Sequence, residues 1–334
     1  MREKKRPKVV VLGGGTGTFM VLSGLRDYAL DLSAIISMAD SGGSNRVLRD
    51  EFGVLPTSDI RQALVALADD KGEREIFRRL FAYRFHQGTG IAGMTFGNLF
   101  MLALTDILGS QLKAIETTAK ILHLKGKIYP VTLDDVQLLA RYENGHQVVG
   151  EHYIDEPRHD GRLKIVEMVT VPEAKAYRSA LEAIKKADLV VLGPGDLYTS
   201  LVCNLIVKSI PQALKKTKAK IVYVMNLMSR FGQTYRFSAQ DHLRVIEKYI
   251  GRGALDYVVV NNNYSFPAKV LQRYREENSY LVEDDLGEPK KPQVIRTDLL
   301  SSAVFEKAKG DRLRRSIIRH HPQKLAKVLV ELLN

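Results

Sequence analysis

Residues 8–18 read KVVVLGGGTGT, a short apolar run that leads directly into a cluster of glycines. The apolar run is typical of a buried strand, and the amphipathic segment 19–25 that follows is typical of a helix. Glycine allows positive φ angles and the close approach of a ligand, and a helix N-terminus offers unpaired N–H groups to anions. The stretch therefore predicts a phosphate-binding turn formed by Gly13, Gly14, Gly15, Thr16, Gly17 and Thr18.

This turn is close to two known phosphate-binding motifs without matching either. Gly13, Gly15 and Thr18 stand where the dinucleotide fingerprint has three glycines, so that threonine replaces the third one. No Lys-Ser or Lys-Thr pair follows at the offset that a P-loop requires. A tight strand-to-helix turn without a ligand stays an open alternative at this point.

The composition is that of a globular protein from a reducing compartment. Of the 334 residues, 45% are hydrophobic and 26% charged, and the single cysteine excludes an internal disulfide. No apolar run approaches the roughly 18 residues that a membrane span needs. The net charge is +12, but zinc-finger spacing, aromatic RNA-binding stretches and tryptophan are absent. We therefore expect a cytoplasmic protein with no membrane span and no sequence-directed binding to nucleic acid.

Strand and helix patterns alternate along the chain, which predicts an α/β fold with a Rossmann-like, doubly wound, mainly parallel sheet. Strands are predicted for the main sheet at 9–12, 32–38, 188–192, 219–225 and 256–260. Helices are predicted at 18–28, 58–68, 73–81, 96–108, 111–122, 172–186 and 322–332. Four further strand patterns, at 127–131, 136–142, 147–154 and 163–171, predict an antiparallel annex. We expect a single domain over 8–334, with a helical insertion at about 57–123 and the β annex at about 127–171.

Glycines and short polar residues follow five of the predicted parallel strands. Because the carboxyl ends of parallel strands meet at one edge of a sheet, we predict that these segments form one binding site. Its members are the first turn, then Asp40, Ser41, Gly42 and Gly43, then Gly193, Gly195, Asp196, Tyr198, Thr199 and Ser200, and finally Asn226 and Asn261.

Each segment has a chemical role in this hypothesis and an ordinary structural alternative. Asp40 suits a metal ion or a ribose hydroxyl, but a helix N-cap or an Asx-turn explains it equally well. Thr199 and Ser200 offer hydroxyl groups to a phosphate, or they cap the next helix. The amides of Asn226 and Asn261 suit a base or a sugar.

A set of catalytic side chains is not evident in the sequence. None of the eight histidines lies in a His-Glu-x-x-His pattern, and no Gly-x-Ser-x-Gly elbow occurs. Cys203 lies among apolar residues, which is typical of a core position. The sequence therefore predicts phosphate binding and leaves open whether any reaction is catalysed.

Several motifs together resemble the bacterial YvcK proteins, called gluconeogenesis factors, which share a fold with 2-phospho-L-lactate transferase. The resemblance extends from about residue 8 to 333. Its motifs are the first glycine turn, ADSGGS at 39–44, DIR at 59–61, YRF at 83–85, FGNL at 96–99, GPGDLYTS at 193–200, VMNLM at 224–228 and DHL at 241–243.

The resemblance implies binding of a nucleotide sugar, UDP-N-acetylglucosamine, and a role in carbon metabolism, cell shape or wall synthesis. That role would be regulatory and would act through protein partners, with a homo-oligomer left open. The matching motifs add Asp59, Arg61 and Asn98 to the candidate ligand-binding residues. The C-terminal pattern implies that Tyr274 stacks on the uridine and that Arg319 binds the diphosphate.

The chain departs from the family pattern at Ser41, Ser58, Met94, Asp196 and Cys203. A carboxylate at residue 196 repels a nearby phosphate by about 1 kcal/mol unless a cation bridges the two. Asp40 and Asp196 are therefore candidate Mg²⁺ ligands. The main alternative is a Mg²⁺-dependent transferase of the 2-phospho-L-lactate type, which moves a phospho-acyl group from a nucleotide diphosphate donor. An NAD-dependent oxidoreductase is a weaker alternative, because Thr18 interrupts the fingerprint.

Overall fold

The computed structural model describes residues 6–39, 55–69, 74–302 and 316–333. Within these ranges seven strands form one parallel sheet in the order β10-β9-β8-β7-β1-β2-β3. Its strands are β1 Lys8–Gly13, β2 Asp31–Ile36, β3 Lys127–Pro130, β7 Leu189–Leu192, β8 Lys220–Val224, β9 Tyr257–Asn261 and β10 Gln293–Thr297. A smaller antiparallel sheet has the order β5-β4-β6 and contains β4 Gln137–Tyr142, β5 Gln147–Val149 and β6 Ile165–Val171.

The helices of the described ranges connect these strands. They are α1 Gly15–Leu25, α2 Ser58–Leu67, α3 Arg74–Ala82, α4 Phe96–Leu108, α5 Gln111–Ile121, α6 Glu151–Asp155, α7 Arg178–Lys186, α8 Cys203–Leu205, α9 Ile210–Lys216, α10 Ala239–Ile250, α11 Ala268–Glu276 and α12 Pro322–Glu331. A π-helical turn, Leu197–Val202, runs directly into α8. No helix in these ranges is both long enough and apolar enough to cross a membrane.

Both faces of the parallel sheet are buried, because successive residues of each strand point to opposite sides. Val9 and Val11 belong to one hydrophobic cluster, whereas Val10 and Leu12 belong to the other. Helices α1, α2 and α12 supply buried apolar residues to the first cluster. Helices α7, α9 and α10 and the antiparallel sheet supply them to the second. This two-sided burial explains why the strands read as continuous apolar runs.

The strand order reverses between β1 and β7. From β1 the chain moves outward to β2 and β3 on one side, and later from β7 to β8, β9 and β10 on the other. At such a switch point the loops that follow the two central strands leave in opposite directions and open a crevice beyond the carboxyl ends. The loops after β1 and β7 are the two glycine-containing segments identified in the sequence.

The doubly wound sheet, the helices between β2 and β3 and the small antiparallel sheet confirm the predicted fold class. Three local predictions are wrong. Residues 127–131 were predicted in the annex, but β3 pairs with β2 in the main sheet. Residues 147–154 form a strand only to Val149, because Gly150 has φ +101° and α6 begins at Glu151. Helix α7 begins at Arg178 rather than near 172, because Lys175 forms a β-bridge with Lys208.

His242 makes the stability of the fold sensitive to acid. Its ring is fully buried in α10, and Nδ1 lies 2.8 Å from the carbonyl oxygen of Ser238. Burial lowers the pKa of His242 to about 4 in the folded state, from an ordinary value of 6.5. Between these values the unfolded chain binds more protons, so the free energy of unfolding falls as the pH decreases from 6.5 through 4.

We expect this histidine to lower the free energy of unfolding by about 2 kcal/mol between pH 7 and pH 5. The His242→Phe variant should therefore show a shallower pH dependence than the wild type when both are unfolded with urea across this range. Parallel pH profiles for the two proteins would contradict the assignment.

Candidate ligand-binding cleft

A cleft opens at the switch point, beyond the carboxyl ends of β1, β7 and β8. The turn between β1 and α1, the segment after β7 and the segment after β8 form three of its walls. The start of α2, helix α6 and residues 316–320 complete it. The cleft therefore collects segments from most of the length of the chain, which meet only because of the sheet topology.

The β1–α1 turn depends on glycine for its geometry. Gly15 has φ +63°, a conformation that residues with a Cβ rarely adopt. Gly17 faces the segment after β7, where an added Cβ would lie 2.5 Å from the carbonyl carbon of Pro194 and 2.9 Å from the nitrogen of Gly195. The two glycine segments thus touch backbone to backbone. Helix α1 begins at this contact, so its N-terminal N–H groups and the positive end of its dipole lie at the cleft.

Two asparagines fix the relative position of these segments. The Nδ2 group of Asn204 donates to the carbonyl oxygens of Gly13, at 3.2 Å, and Ser200, at 2.8 Å. The Nδ2 group of Asn226 donates to the carbonyl oxygen of Gly195 at 2.7 Å. Sequence reasoning missed Asn204, although an asparagine inside the apolar run LVCNLIV was an available signal, and the structure shows this side chain to be fully buried.

A buried polar network supports the π-helical turn from the other side. Gln233 donates from Nε2 to the Thr199 hydroxyl at 3.1 Å and to Asp155 Oδ1 at 2.9 Å. Asp155 also accepts two hydrogen bonds from Arg230, at 3.2 and 2.6 Å. Burial opposes the charge of Arg230, but Asp155 and Asp196 outweigh it and raise the pKa of this guanidinium above its ordinary value. Asp155, Arg230 and Gln233 were all missed in the sequence, because no phosphate-binding pattern surrounds them.

The described part of the cleft contains more acidic than basic side chains. The carboxylates of Asp59, Glu151, Asp155 and Asp196 line it, together with the guanidinium groups of Arg230 and Arg319. A diphosphate bound here would rely on backbone N–H groups, the dipole of α1, the two arginines and a bound cation.

The structure brings eleven of the predicted ligand-binding residues to the cleft wall. They are Gly14, Gly15, Thr16, Gly17, Asp59, Gly195, Asp196, Thr199, Ser200, Asn226 and Arg319. Asp40, Ser41, Gly42 and Gly43 lie outside the described residues. Gly13 and Gly193 lie just beneath the wall, at the ends of β1 and β7.

Three of the predicted ligand-binding residues make contacts that hold the walls in place. Arg61 donates from Nε to Asn98 Oδ1 at 3.0 Å, and Asn98 donates from Nδ2 to the Ser58 hydroxyl at 3.2 Å, so the pair fixes the start of α2. The Tyr274 hydroxyl accepts the N–H groups of Ile317, at 2.8 Å, and Ile318, at 3.1 Å. The Tyr274 hydroxyl therefore anchors the segment that carries Arg319, and the stacking role of the Tyr274 ring stays a prediction.

Three more predicted residues, and Cys203, have side chains that make contacts within the protein. The Thr18 side chain is buried against Gly13 and packs α1 onto β1. Tyr198 lies in the core, where its hydroxyl donates to the carbonyl oxygen of Ile165 at 3.0 Å. The Nδ2 group of Asn261 donates to the carbonyl oxygen of Asn263 at 2.6 Å, and its Oδ1 accepts the N–H of Leu299 at 2.9 Å. Cys203 is buried, as the sequence indicates, and burial raises the pKa of its thiol.

The described residues include no group of three or more histidine, cysteine, aspartate or glutamate side chains placed to hold a metal ion. Mg²⁺ commonly uses only one or two carboxylates and takes its other ligands from phosphate oxygens and water. Asp196 lines the cleft beside the glycine segments and fits such a role. Its predicted partner, Asp40, lies outside the described residues.

Comparisons with known proteins agree with this architecture. The family model of 2-phospho-L-lactate transferase CofD matches residues 9–300. A candidate gluconeogenesis factor of Nostoc sp. is 40% identical over 97% of this chain and 68% of its own length. The corresponding Aquifex aeolicus protein is 40% identical over 98% of this chain and 97% of its own length. A crystal structure of a UPF0052 family member from Bacillus halodurans superimposes with a TM-score of 0.87 at 32% identity, covering 98% of this chain and all of that one.

Proposed function

Because the chain belongs to the family of 2-phospho-L-lactate transferase CofD, we propose that its cleft binds a nucleotide sugar of the UDP-N-acetylglucosamine type. The bound protein then acts as a regulator, through protein partners, in carbon metabolism, cell shape or wall synthesis. The metabolic part of this proposal is supported by relatives named as candidate gluconeogenesis factors.

One observation carries the binding proposal: the glycine segments after β1 and β7 meet backbone to backbone at the start of α1. This arrangement offers N–H groups and a helix dipole to a diphosphate and leaves room for it to approach the backbone. Arg319 adds a guanidinium group on the same cleft, and Asn226 adds an amide for an uncharged part of the ligand.

Thermal and chemical unfolding with UDP-N-acetylglucosamine tests the proposal. A ligand at a hundredfold excess over its Kd should raise the free energy of unfolding by about 2.7 kcal/mol. The Arg319→Ala variant should bind at least about tenfold more weakly, because a charge-assisted hydrogen bond to phosphate is lost. Arg244→Ala is the matched control, since Arg244 is an exposed arginine of α10 that pairs with Asp241 away from the cleft. Equal binding by the two variants would remove Arg319 from the site, and the absence of any effect on the wild type would contradict the proposal.

A Mg²⁺-dependent transferase is the second candidate. The observation that favours it is the position of Asp59 and Asp196, whose carboxylates line the cleft beside the two glycine segments. A bound Mg²⁺ would neutralise charge on a diphosphate donor. Magnesium-dependent release of GMP from a GMP-linked phospho-acyl donor, with a hydroxyl acceptor present, would favour this candidate over the regulator.

A further inference from the structure

Two polar atoms of the cleft wall are buried and have no hydrogen-bond partner among the described residues. They are Oδ1 of Asn226 and Nε2 of His320. A buried polar atom that loses its hydration without gaining a partner costs about 1–3 kcal/mol. Atoms of this kind also occur elsewhere among the described residues, but these two belong to residues that line the cleft, where a ligand group can supply the missing partner.

The hydrogen-bonding role of Asn226 is fixed by its neighbour. Its Nδ2 group donates to the carbonyl oxygen of Gly195 at 2.7 Å. Rotating the amide by half a turn would place Oδ1 of Asn226 against the carbonyl oxygen of Gly195, and the two oxygens would repel each other. The orientation in which Nδ2 faces Gly195 is therefore favoured. The atom that is left for a ligand is therefore Oδ1, which can only accept a hydrogen bond.

His320 also presents an acceptor. His320 is only 4% exposed, and its burial lowers the pKa of the ring to about 4. A hydrogen bond to the Met225 backbone acts in the opposite direction and raises the pKa, but by less. The ring is therefore neutral near pH 7. The Met225 N–H already donates to the carbonyl oxygen of Val259, so the Met225 group that bonds to the ring is its carbonyl oxygen, which accepts. Because Nε2 has no partner, the donor is Nδ1, and Nε2 of the neutral ring keeps its lone pair. Because Met225 directly precedes Asn226, the two acceptors belong to the same wall.

We propose that Asn226 Oδ1 and His320 Nε2 form a subsite that accepts two hydrogen bonds from one uncharged, donor-bearing part of the ligand. This inference rests on the proposed nucleotide-sugar function and specifies how the ligand is oriented. Phosphate oxygens carry no hydrogens to donate, so the diphosphate is excluded from this wall and lies toward the α1 turn. A uracil ring has a single N–H donor flanked by two carbonyl acceptors, and so it does not satisfy both atoms. The matching groups are paired hydroxyls, or a hydroxyl with an amide N–H, on the ribose or on the sugar.

Calorimetric titration of His320→Phe with UDP-N-acetylglucosamine and with UDP tests the subsite. The variant keeps an aromatic ring of similar size but has no acceptor, so we expect at least tenfold weaker binding of the nucleotide sugar. His242→Phe is the matched control, since His242 is another fully buried histidine with an unpartnered Nε2 and lies outside the cleft. We expect its affinity to match the wild type. If the effect of His320→Phe disappears with UDP, the donors come from the sugar; if it persists, they come from the ribose.

A measurement on the wild type keeps the inference testable even if His320→Phe does not fold. In protein labelled with ¹⁵N at histidine, the Nε2 resonance of His320 should shift on addition of the nucleotide sugar, while that of His242 stays in place. Binding by the wild type with no shift at His320, or with unchanged affinity in a folded His320→Phe, would overturn the subsite and leave the proposed function intact. The absence of any binding by the wild type would overturn both.

Discussion

Gly17→Ala is expected to lower the free energy of unfolding by about 1–3 kcal/mol and to abolish stabilisation by the ligand. The added Cβ would lie 2.5 Å from the carbonyl carbon of Pro194, and both partners of this contact are backbone, so no side chain can rotate away. Relief requires that α1 move away from the segment after β7. That movement separates the two glycine segments and takes the N–H groups of α1 out of register with Gly195. Urea denaturation with and without UDP-N-acetylglucosamine measures both effects.

Gly24→Ala is the control for this variant, because Gly24 belongs to the same helix and is equally confined. Its added Cβ would lie 2.7 Å from the carbonyl carbon of Pro322 and 3.0 Å from the Cβ of Ala326. Both contacts are with α12, at the C-terminal end of α1 and away from the glycine segments. We expect a similar loss of stability with the ligand effect retained. If the two variants lost ligand binding equally, the contact between the glycine segments would have no special part in the site.

The fold was largely predictable because its signals are local. The strands β1, β7, β8 and β9 are continuous apolar runs, which indicates that both faces of the sheet are covered. Their alternation with helices then indicates that the strands are parallel. β10 was missed because Gln293–Thr297 is an edge strand with a polar, half-buried sequence. Its pairing with β9 is a tertiary contact that no local pattern records. The same limit put β3 in the wrong sheet.

The part of the cleft that the backbone forms was the easiest to predict from local sequence. The glycine turns were found because glycine has a conformational meaning that can be read along the chain. Tyr274 and Asn98 have the right chemistry for a ligand, but the sequence did not reveal that their side chains also bond to the backbone and to a neighbouring helix. Conversely, Arg230 and His320 line the cleft but were not among the predicted site residues, although Arg230 stands two residues after VMNLM and His320 directly follows Arg319. Which face a polar side chain occupies is set by packing, and so the sequence does not reveal it.

Breaking the pair formed by Arg230 and Asp155 should cost substantial stability. Its side chains are 18% and 20% exposed, and two hydrogen bonds join them. Arg230→Met keeps most of the apolar volume but leaves the Asp155 carboxylate in this low-dielectric setting with Gln233 as its remaining donor. We expect the free energy of unfolding to fall by about 3 kcal/mol, the lower end of the range for breaking a buried pair, because the pair is partly hydrated.

The double variant Asp155→Leu with Arg230→Met separates the charge effect from the loss of packing. Two apolar side chains leave no unpaired charge, so we expect most of the lost stability to return, and urea denaturation of the four proteins gives the coupling free energy. If the losses of stability of the two single variants simply add up in the double variant, the unpaired carboxylate is not the cause of the loss.

Arg230→Met should also weaken nucleotide-sugar binding, since it leaves Arg319 as the sole arginine of the described cleft wall, facing four carboxylates. The double variant, with three carboxylates, should bind more tightly than Arg230→Met. This ranking follows only if the charge balance of the cleft limits ligand affinity.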